Sequence, residues 1–239
     1  MLKNIYSLIL KIIDDFKYGS LSNDSIVIFS QEGEELILKR LSDDKDYKFN
    51  LNNNKFYIDI GCNDHVRYSN TYYLWKKFNW TGINIDVNES MINRMKKIRN
   101  KDINLTGFLS RDSYEKEFTF FYEDALSTSD SKKVNLVKSE GYEVSETKKI
   151  SSIKFEELKS CIPKNNDIGF LNIDIESNEE AQEIIQLFFK NEIYPDLICC
   201  DFDNKTLNNI KNSKLIEIIQ MQKYHFFAKL YNSAFFVKK

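Results

Sequence analysis

Several carboxylates and one glycine fall where chemistry could use them. In FYIDIGCND, Phe56 to Asp64, the apolar residues Phe56, Tyr57, Ile58 and Ile60 read as a buried strand running straight into Gly61, where the backbone can turn sharply. Asp59 stands one residue from the end of that strand, and in GINIDVN, Gly82 to Asn88, Asp86 ends a second apolar strand. Acids at neighbouring strand ends belong to the crevice at the carboxyl edge of an α/β sheet, where open sheets bind ligands. They suit a ligand that carries a ribose and an amine. Taken singly, each is equally well read as a solvated strand end. FLNIDIE then puts Asp174 and Glu176 at the end of a later strand, and DLICCDFD does the same with Asp201 and Asp203. Asp174 and Glu176 share a face if their strand persists, so both are candidates for a general base. His65, just past the glycine turn, is a third, of the residue type that most often serves as one near neutral pH. Asp174 is the first choice, because it ends its strand at the ligand edge. Asp174, Asp201 and Asp203, oxygen ligands from adjacent strands, could also hold Mg²⁺ or Ca²⁺. Acids that simply end a strand in solvent are the commoner outcome.

The elements that must position these groups alternate between strand and helix. Helices are expected from about Ser69 or Asn70 to Phe78, between Glu89 and Arg99, over Phe155–Ile162 and through EEAQEIIQLFF; INLTGFLS, Ile103 to Ser110, reads as a third strand and FTFFYE as an edge strand. Residues 124–147 show no strong period and read as a long loop with room for one irregular helix. The chain closes with two strands joined by a turn at Asn232 and Ser233. This pattern predicts a Rossmann-like α/β fold, its sheet mostly parallel with a C-terminal antiparallel hairpin, preceded by N-terminal helices. Residues 1–48 form an N-terminal helical segment packing on the core, and 49–239 the main domain. In that first segment Leu2, Ile5, Ile9, Ile12, Ile13 and Phe16 make one helical stripe, interrupted by charges and too short to span a membrane. It is expected to dock on its own domain or to pair two copies of the chain as a homodimer, in preference to lying on a membrane surface. After it, Ser30 can cap a helix whose first turn holds Glu34 and Glu35.

At 239 residues the chain suffices for one α/β domain, and its formal charge of −2 gives no overall field to recruit nucleic acid or anionic lipid. Cys62, Cys161, Cys199 and Cys200 show neither CxxC spacing nor a nearby histidine, which argues against a zinc site or disulfide framework and for a reduced, cytoplasmic setting.

SQEGEELIL, FYIDIGCNDHVRYSNTYYL, GINIDVN, the ALST of Ala125 to Thr128, FLNIDIESNEE and FFAKLYNSAFFVKK occur in the order and spacing of FkbM-type S-adenosylmethionine-dependent methyltransferases. The chain resembles that family from about Ser30 to its end, and the combination carries the resemblance where any one motif would be weak. The resemblance implies the class I methyltransferase version of the fold, S-adenosylmethionine as cofactor, and O-methylation of a hydroxyl on a carbohydrate or sugar nucleotide, commonly in capsule or lipopolysaccharide biosynthesis. Gly61 and Asn63 would then border the methionine half of the cofactor, with Asp59 accepting from its ammonium. Asp86 would accept from both ribose hydroxyls with Asn88 in support, and Leu109 with Ser110 would border the adenine. Arg67, Tyr68, Ser69, Asn70 and Thr71 match the family's loop after the first motif and are expected to face the substrate, as are Ser127 and Thr128. The chain departs from the pattern at Cys62–His65, where the family often has a small residue and then His-Asp-Pro, and at Ser177, where it usually has Gly. Two other classes remain open: a nicotinamide-dependent sugar oxidoreductase, against which IGCNDH lacks the GxGxxG spacing, and a non-catalytic cofactor-binding partner of an active enzyme.

Overall fold

The computed structural model describes residues 28–165, 167–175, 177–202 and 213–239. The amphipathic segment expected within residues 1–27, and the homodimer contact through it, lie outside the described residues, as do Glu176 and Asp203.

The described chain runs α1 (Glu34–Asp43), β1 (Phe56–Ile60), α2 (Tyr72–Phe78), β2 (Thr81–Asp86), α3 (Glu89–Ile98), β3 (Ile103–Thr106), β4 (Phe108–Ser110), β5 (Glu115–Phe121), α4 (Ser131–Ser139), β6 (Val144–Lys154), α5 (Phe155–Cys161), β7 (Phe170–Ile173), α6 (Asn178–Lys190), β8 (Leu197–Asp201), α7 (Lys214–Met221), β9 (Tyr224–Lys229) and β10 (Ser233–Lys238). Among the described residues the main sheet has seven strands in the order β3-β2-β1-β7-β8-β10-β9. The pairs among β3, β2, β1, β7 and β8 are all parallel, and β10 is antiparallel to both its neighbours. This is the Rossmann-like sheet with its C-terminal hairpin that the alternation predicts. The order reverses between β1 and β7, so the switch-point crevice opens at their carboxyl ends.

The central strands are apolar on both sides because both faces are covered. One face packs Ile58, Ile85, Leu171, Ile198 and Phe236 against Leu158 of α5, Ile184, Ile185 and Phe188 of α6, and Leu215 and Ile219 of α7. The other packs Tyr57, Phe170, Leu197 and Phe235 against Leu38 and Leu41 of α1 and Tyr73 and Leu74 of α2. The segment before residue 49 therefore contributes to this core from α1 onward. The residue that caps α1 is Gly33, at φ 87°, rather than the expected Ser30, whose Oγ still accepts from the Glu34 N–H at 3.0 Å from one turn earlier. Glu34 and Glu35, expected as ordinary first-turn acids, are buried instead. Glu35 accepts from the Phe29 and Ser30 N–H groups, and Glu34 from the Ser233 hydroxyl at 2.8 Å. Among the described residues no helix is long and apolar enough to cross a membrane.

The expected third strand breaks in two. Gly107 takes φ 147°, and a Cβ there would stand 2.7 Å from the Ser151 carbonyl oxygen, so only glycine fits. Up to it, β3 belongs to the main sheet; after it, β4 leaves to pair with β6. FTFFYE lies mostly within β5, which joins β4 and β6 in a separate sheet ordered β4-β6-β5. The expected loop 124–147 holds a short 3₁₀ turn, α4 and the start of β6. Hydrophobic patterning misses β6 because it is largely exposed, burying only Ile150 and Ile153.

Candidate active site at the carboxyl edge

Gly61 turns the chain at the end of β1 with φ 81°. A Cβ on it would lie 1.9 Å from the Asp174 carbonyl oxygen, so the space that glycine leaves is filled by the end of β7. The Asp174 N–H in turn donates to the Ile60 carbonyl at 2.8 Å. The two strand ends at the switch point are thus locked together, and the position of Asp174 is fixed by the glycine turn.

Asp86 anchors the same turn from the β2 side. Its carboxylate accepts from the Asn63 N–H at 2.8 Å and from the Asn88 N–H at 2.7 Å, one on each oxygen. Burial raises its carboxyl above the ordinary value, while those two N–H groups pull the other way. Each oxygen keeps a further lone pair. The Asn88 side chain caps α3, accepting from the Ser90 and Met91 N–H groups. Ser110 closes β4, its Oγ accepting from the Asp112 N–H at 3.4 Å, while Leu109 is buried in the core.

Asp59 is only 1% exposed, and both carboxylate oxygens are in use. Thr71 donates to one at 2.6 Å and Asn172 to the other at 2.8 Å. Burial raises its carboxyl; these hydrogen bonds and then the nearby Arg99 oppose the rise. Arg99 organises the whole patch. Fully buried, it donates to the Tyr57 hydroxyl at 3.2 Å, Thr71 Oγ1 at 2.9 Å, Ser69 Oγ at 2.9 Å and the His65 carbonyl at 2.6 Å. Tyr57 donates to Asp102, which also accepts from the Gly82 N–H and the Asn84 amide. Nothing in the sequence marked Arg99. It follows an amphipathic helix, where a basic residue ordinarily complements the helix dipole in solvent. Its clearest sign was the set of polar residues Asn84, Asp102, Asn104 and Asn172 in or beside apolar strands.

The loop residues 67–71, expected to face substrate, divide in two. Ser69 and Asn70 are buried: Ser69 accepts from Arg99 and from the Tyr72 N–H at the start of α2, and Asn70 donates to Asn172 at 3.2 Å. Arg67 and Tyr68 face outward, the guanidinium 4.5 Å from the Tyr68 ring centroid and 2.8 Å from Glu123. His65 Nδ1 lies 3.3 Å from Asp64 Oδ1. Ser127 and Thr128 follow the 3₁₀ turn that comes after β5, Thr128 bridging back to Thr119 of that strand, and their hydroxyls close local turns with the Asp124 carbonyl and the Asp130 N–H. The insert leans on the edge at further points, through Lys148 to Glu89 at 3.8 Å, Lys116 to Glu180, and Phe108, Phe118 and Phe120 near Val87.

Beyond β7 the edge remains acidic. Asp174 is solvent-accessible, yet the protein around it raises its carboxyl well above the ordinary range, and Asp201, Asp59, Glu34 and Asp86 reinforce the rise. Asp201 ends β8, accepting from the Phe202 N–H at 2.6 Å. Among the described residues no group of three or more His, Cys, Asp or Glu side chains is placed to hold a metal ion.

No protein-family model matches the chain, and no curated protein matches it. Solved structures similar to it include the crystal structure of monomeric WbdD, at 9% identity and TM-score 0.40, covering 77% of this chain and 36% of that one. Another is the small RNA methyltransferase HEN1, at 10% identity and TM-score 0.39, covering 91% of this chain and 28% of that one. The chain thus spans about a third of the length of either structure. The fold described above rests on strand order and register, independently of both.

Proposed function

We propose that the protein is an S-adenosylmethionine-dependent methyltransferase that methylates a hydroxyl of a carbohydrate or sugar nucleotide, in surface-glycan biosynthesis. The observation that carries this reading is the pair of adjoining parallel strand ends at the switch point, with Gly61 turned tightly against β7 and Asp86 accepting from both flanking backbone segments. The donor set fits the cofactor: Asp86 keeps lone pairs for ribose hydroxyls, and an edge bearing Asp59, Asp86, Asp174 and Asp201 suits a molecule with a sulfonium and an ammonium. A dinucleotide reading fits less well, because α2 does not begin until Tyr72 and brings no helix N-terminus to the glycine turn for a pyrophosphate.

When bound, the cofactor supplies an electrophilic methyl group on sulfur. The chain's task is to hold the acceptor oxygen in line with it and to take the hydroxyl proton. Asp174 is the group for that proton: it stands beside the Gly61 turn, and its raised pKa makes it a stronger base than an ordinary carboxylate. Asp59, already accepting from Thr71 and Asn172, acts on the cofactor's ammonium only through the residues around it.

Titration calorimetry with S-adenosylhomocysteine tests the reading. Micromolar binding is expected, and no binding by folded protein would overturn it. Asp174→Asn gives a second check. Turnover is expected to vanish while S-adenosylhomocysteine affinity stays within a few-fold. A carboxyl whose folded pKa is raised costs stability as pH climbs from its unfolded value through its folded one. Because Asp174 is exposed, solvent screens much of that cost, so the variant is expected to melt no lower than the parent at neutral pH. The acidic limb of the parent's rate profile should correspondingly lie above the ordinary carboxylate range. Full activity in the variant would remove Asp174 as the base.

A further inference from the structure

The ends of β8, β9 and β10 carry a lysine that the cofactor reading leaves unused. Lys229, the last residue of β9, is part-buried, and its ammonium donates to the Tyr231 carbonyl at 2.7 Å across the turn. Among the described residues no carboxylate pairs with it directly. Asp201 and Glu32 act on it only through their fields, while burial lowers its pKa. Glu32 is engaged by the Asn232 N–H at 2.9 Å and the Ser233 N–H at 3.4 Å, and Glu34 by the Ser233 hydroxyl. An ammonium has three donors, so Lys229 keeps two for an oxygen ligand. Register places this lysine along the edge from the base: Asp174 follows Ile173, which pairs with Cys200; Asp201 pairs with Ser233; and Ala234 pairs with Lys229.

We propose that this end of the edge is the acceptor subsite, that it takes the hydroxyls of an uncharged sugar, and that Lys229 donates to one of them while Asp201 accepts from a neighbour. The inference rests on the methyltransferase reading and narrows its acceptor. A hydroxyl both donates and accepts, so adjacent hydroxyls satisfy a lysine and a carboxylate together. A sugar nucleotide's diphosphate would bring two further negative charges to an edge that already bears Asp174 and Asp201, with one ammonium to offset them. An amine acceptor has no lone pair for Lys229 when protonated. The Tyr231 ring, 59% exposed on the same turn, offers an apolar surface of a size to cover one face of a pyranose.

The test uses the full chain saturated with S-adenosylhomocysteine, with saturation-transfer NMR against methyl glycosides of glucose, galactose, mannose and fucose, and against UDP-glucose. At least one neutral glycoside is expected to bind in preference to UDP-glucose. Lys229→Met should weaken that binding about 10- to 100-fold, the usual weight of a hydrogen bond to a charged group. S-adenosylhomocysteine affinity should stay within about twofold, and Lys229→Arg, which keeps the charge, should recover part of the loss. Preference for UDP-glucose, no glycoside binding by the saturated protein, or unchanged binding in Lys229→Met would overturn the subsite and leave the cofactor reading standing. Failure of the parent to bind S-adenosylhomocysteine would overturn both.

Discussion

Replacing Asp86 by alanine is expected to weaken S-adenosylhomocysteine binding by about 100- to 1,000-fold, with little change in melting temperature. The carboxylate is proposed to accept from both ribose hydroxyls, and each hydrogen bond to a charged group is worth about 1.5–3 kcal/mol, with about 1.4 kcal/mol per tenfold in affinity. The fold should survive because the Asn63 and Asn88 N–H groups, which lose an acceptor, sit at a partly exposed edge and can turn to water. Asp86→Asn retains one acceptor oxygen and should fall between variant and parent. Calorimetry beside circular dichroism separates the outcomes. Unchanged affinity in a folded Asp86→Ala protein would remove the ribose assignment.

Arg99→Met should act in the opposite register, costing stability first. Methionine fills much of the volume but abandons the Tyr57, Thr71, Ser69 and His65 acceptors together. It also leaves the buried Asp59 and Asp102 without their cation. Breaking a buried charge arrangement from one side typically costs about 3–5 kcal/mol. At this chain length that lowers the melting temperature by roughly 10 °C. Arg99→Lys should recover only part, since an ammonium cannot fork across the Tyr57–Thr71 and Ser69–His65 pairs of acceptors. Because two of those contacts hold the loop just after Gly61, the surviving folded fraction should also bind S-adenosylhomocysteine more weakly. A melting temperature within 2 °C of the parent's would show that the loop is held by something else.

Both residues bear on what the sequence could disclose. Asp86 was legible because its signal is local: an apolar strand, then an acid, then a helix start at Asn88. The same holds for Gly61, for the alternation that foretells the main sheet, and for the terminal hairpin. Arg99 was not legible, since its partners come from β1, the loop after it and β2, and only the folded chain brings them together. Ser69 and Asn70 illustrate the converse. Their position after the first motif pointed outward to substrate, whereas Arg99 and Asn172 draw their side chains inward. The inserted sheet escaped for another reason. Strand β6 buries too few side chains to show a period, and the single residue that ends β3 and starts β4, Gly107, is invisible to a scan that sees one apolar run.

That glycine junction also bears on motion. The insert enters through Gly107 alone, whose N–H donates to the Asp86 carbonyl at 2.9 Å, and it leaves with no spacer at all, β6 ending at Lys154 and α5 beginning at Phe155. A swinging flap needs several free residues at its junctions to absorb changes in φ and ψ. Lacking them, the insert cannot pivot as a unit over the ligand crevice. Any opening must arise by flexing at its distal end, around residues 122–143, where the Arg67–Glu123 pair gives a light and salt-sensitive tether. Entry of an acceptor is thereby governed by the fixed outline of a rim rather than by the timing of a gate.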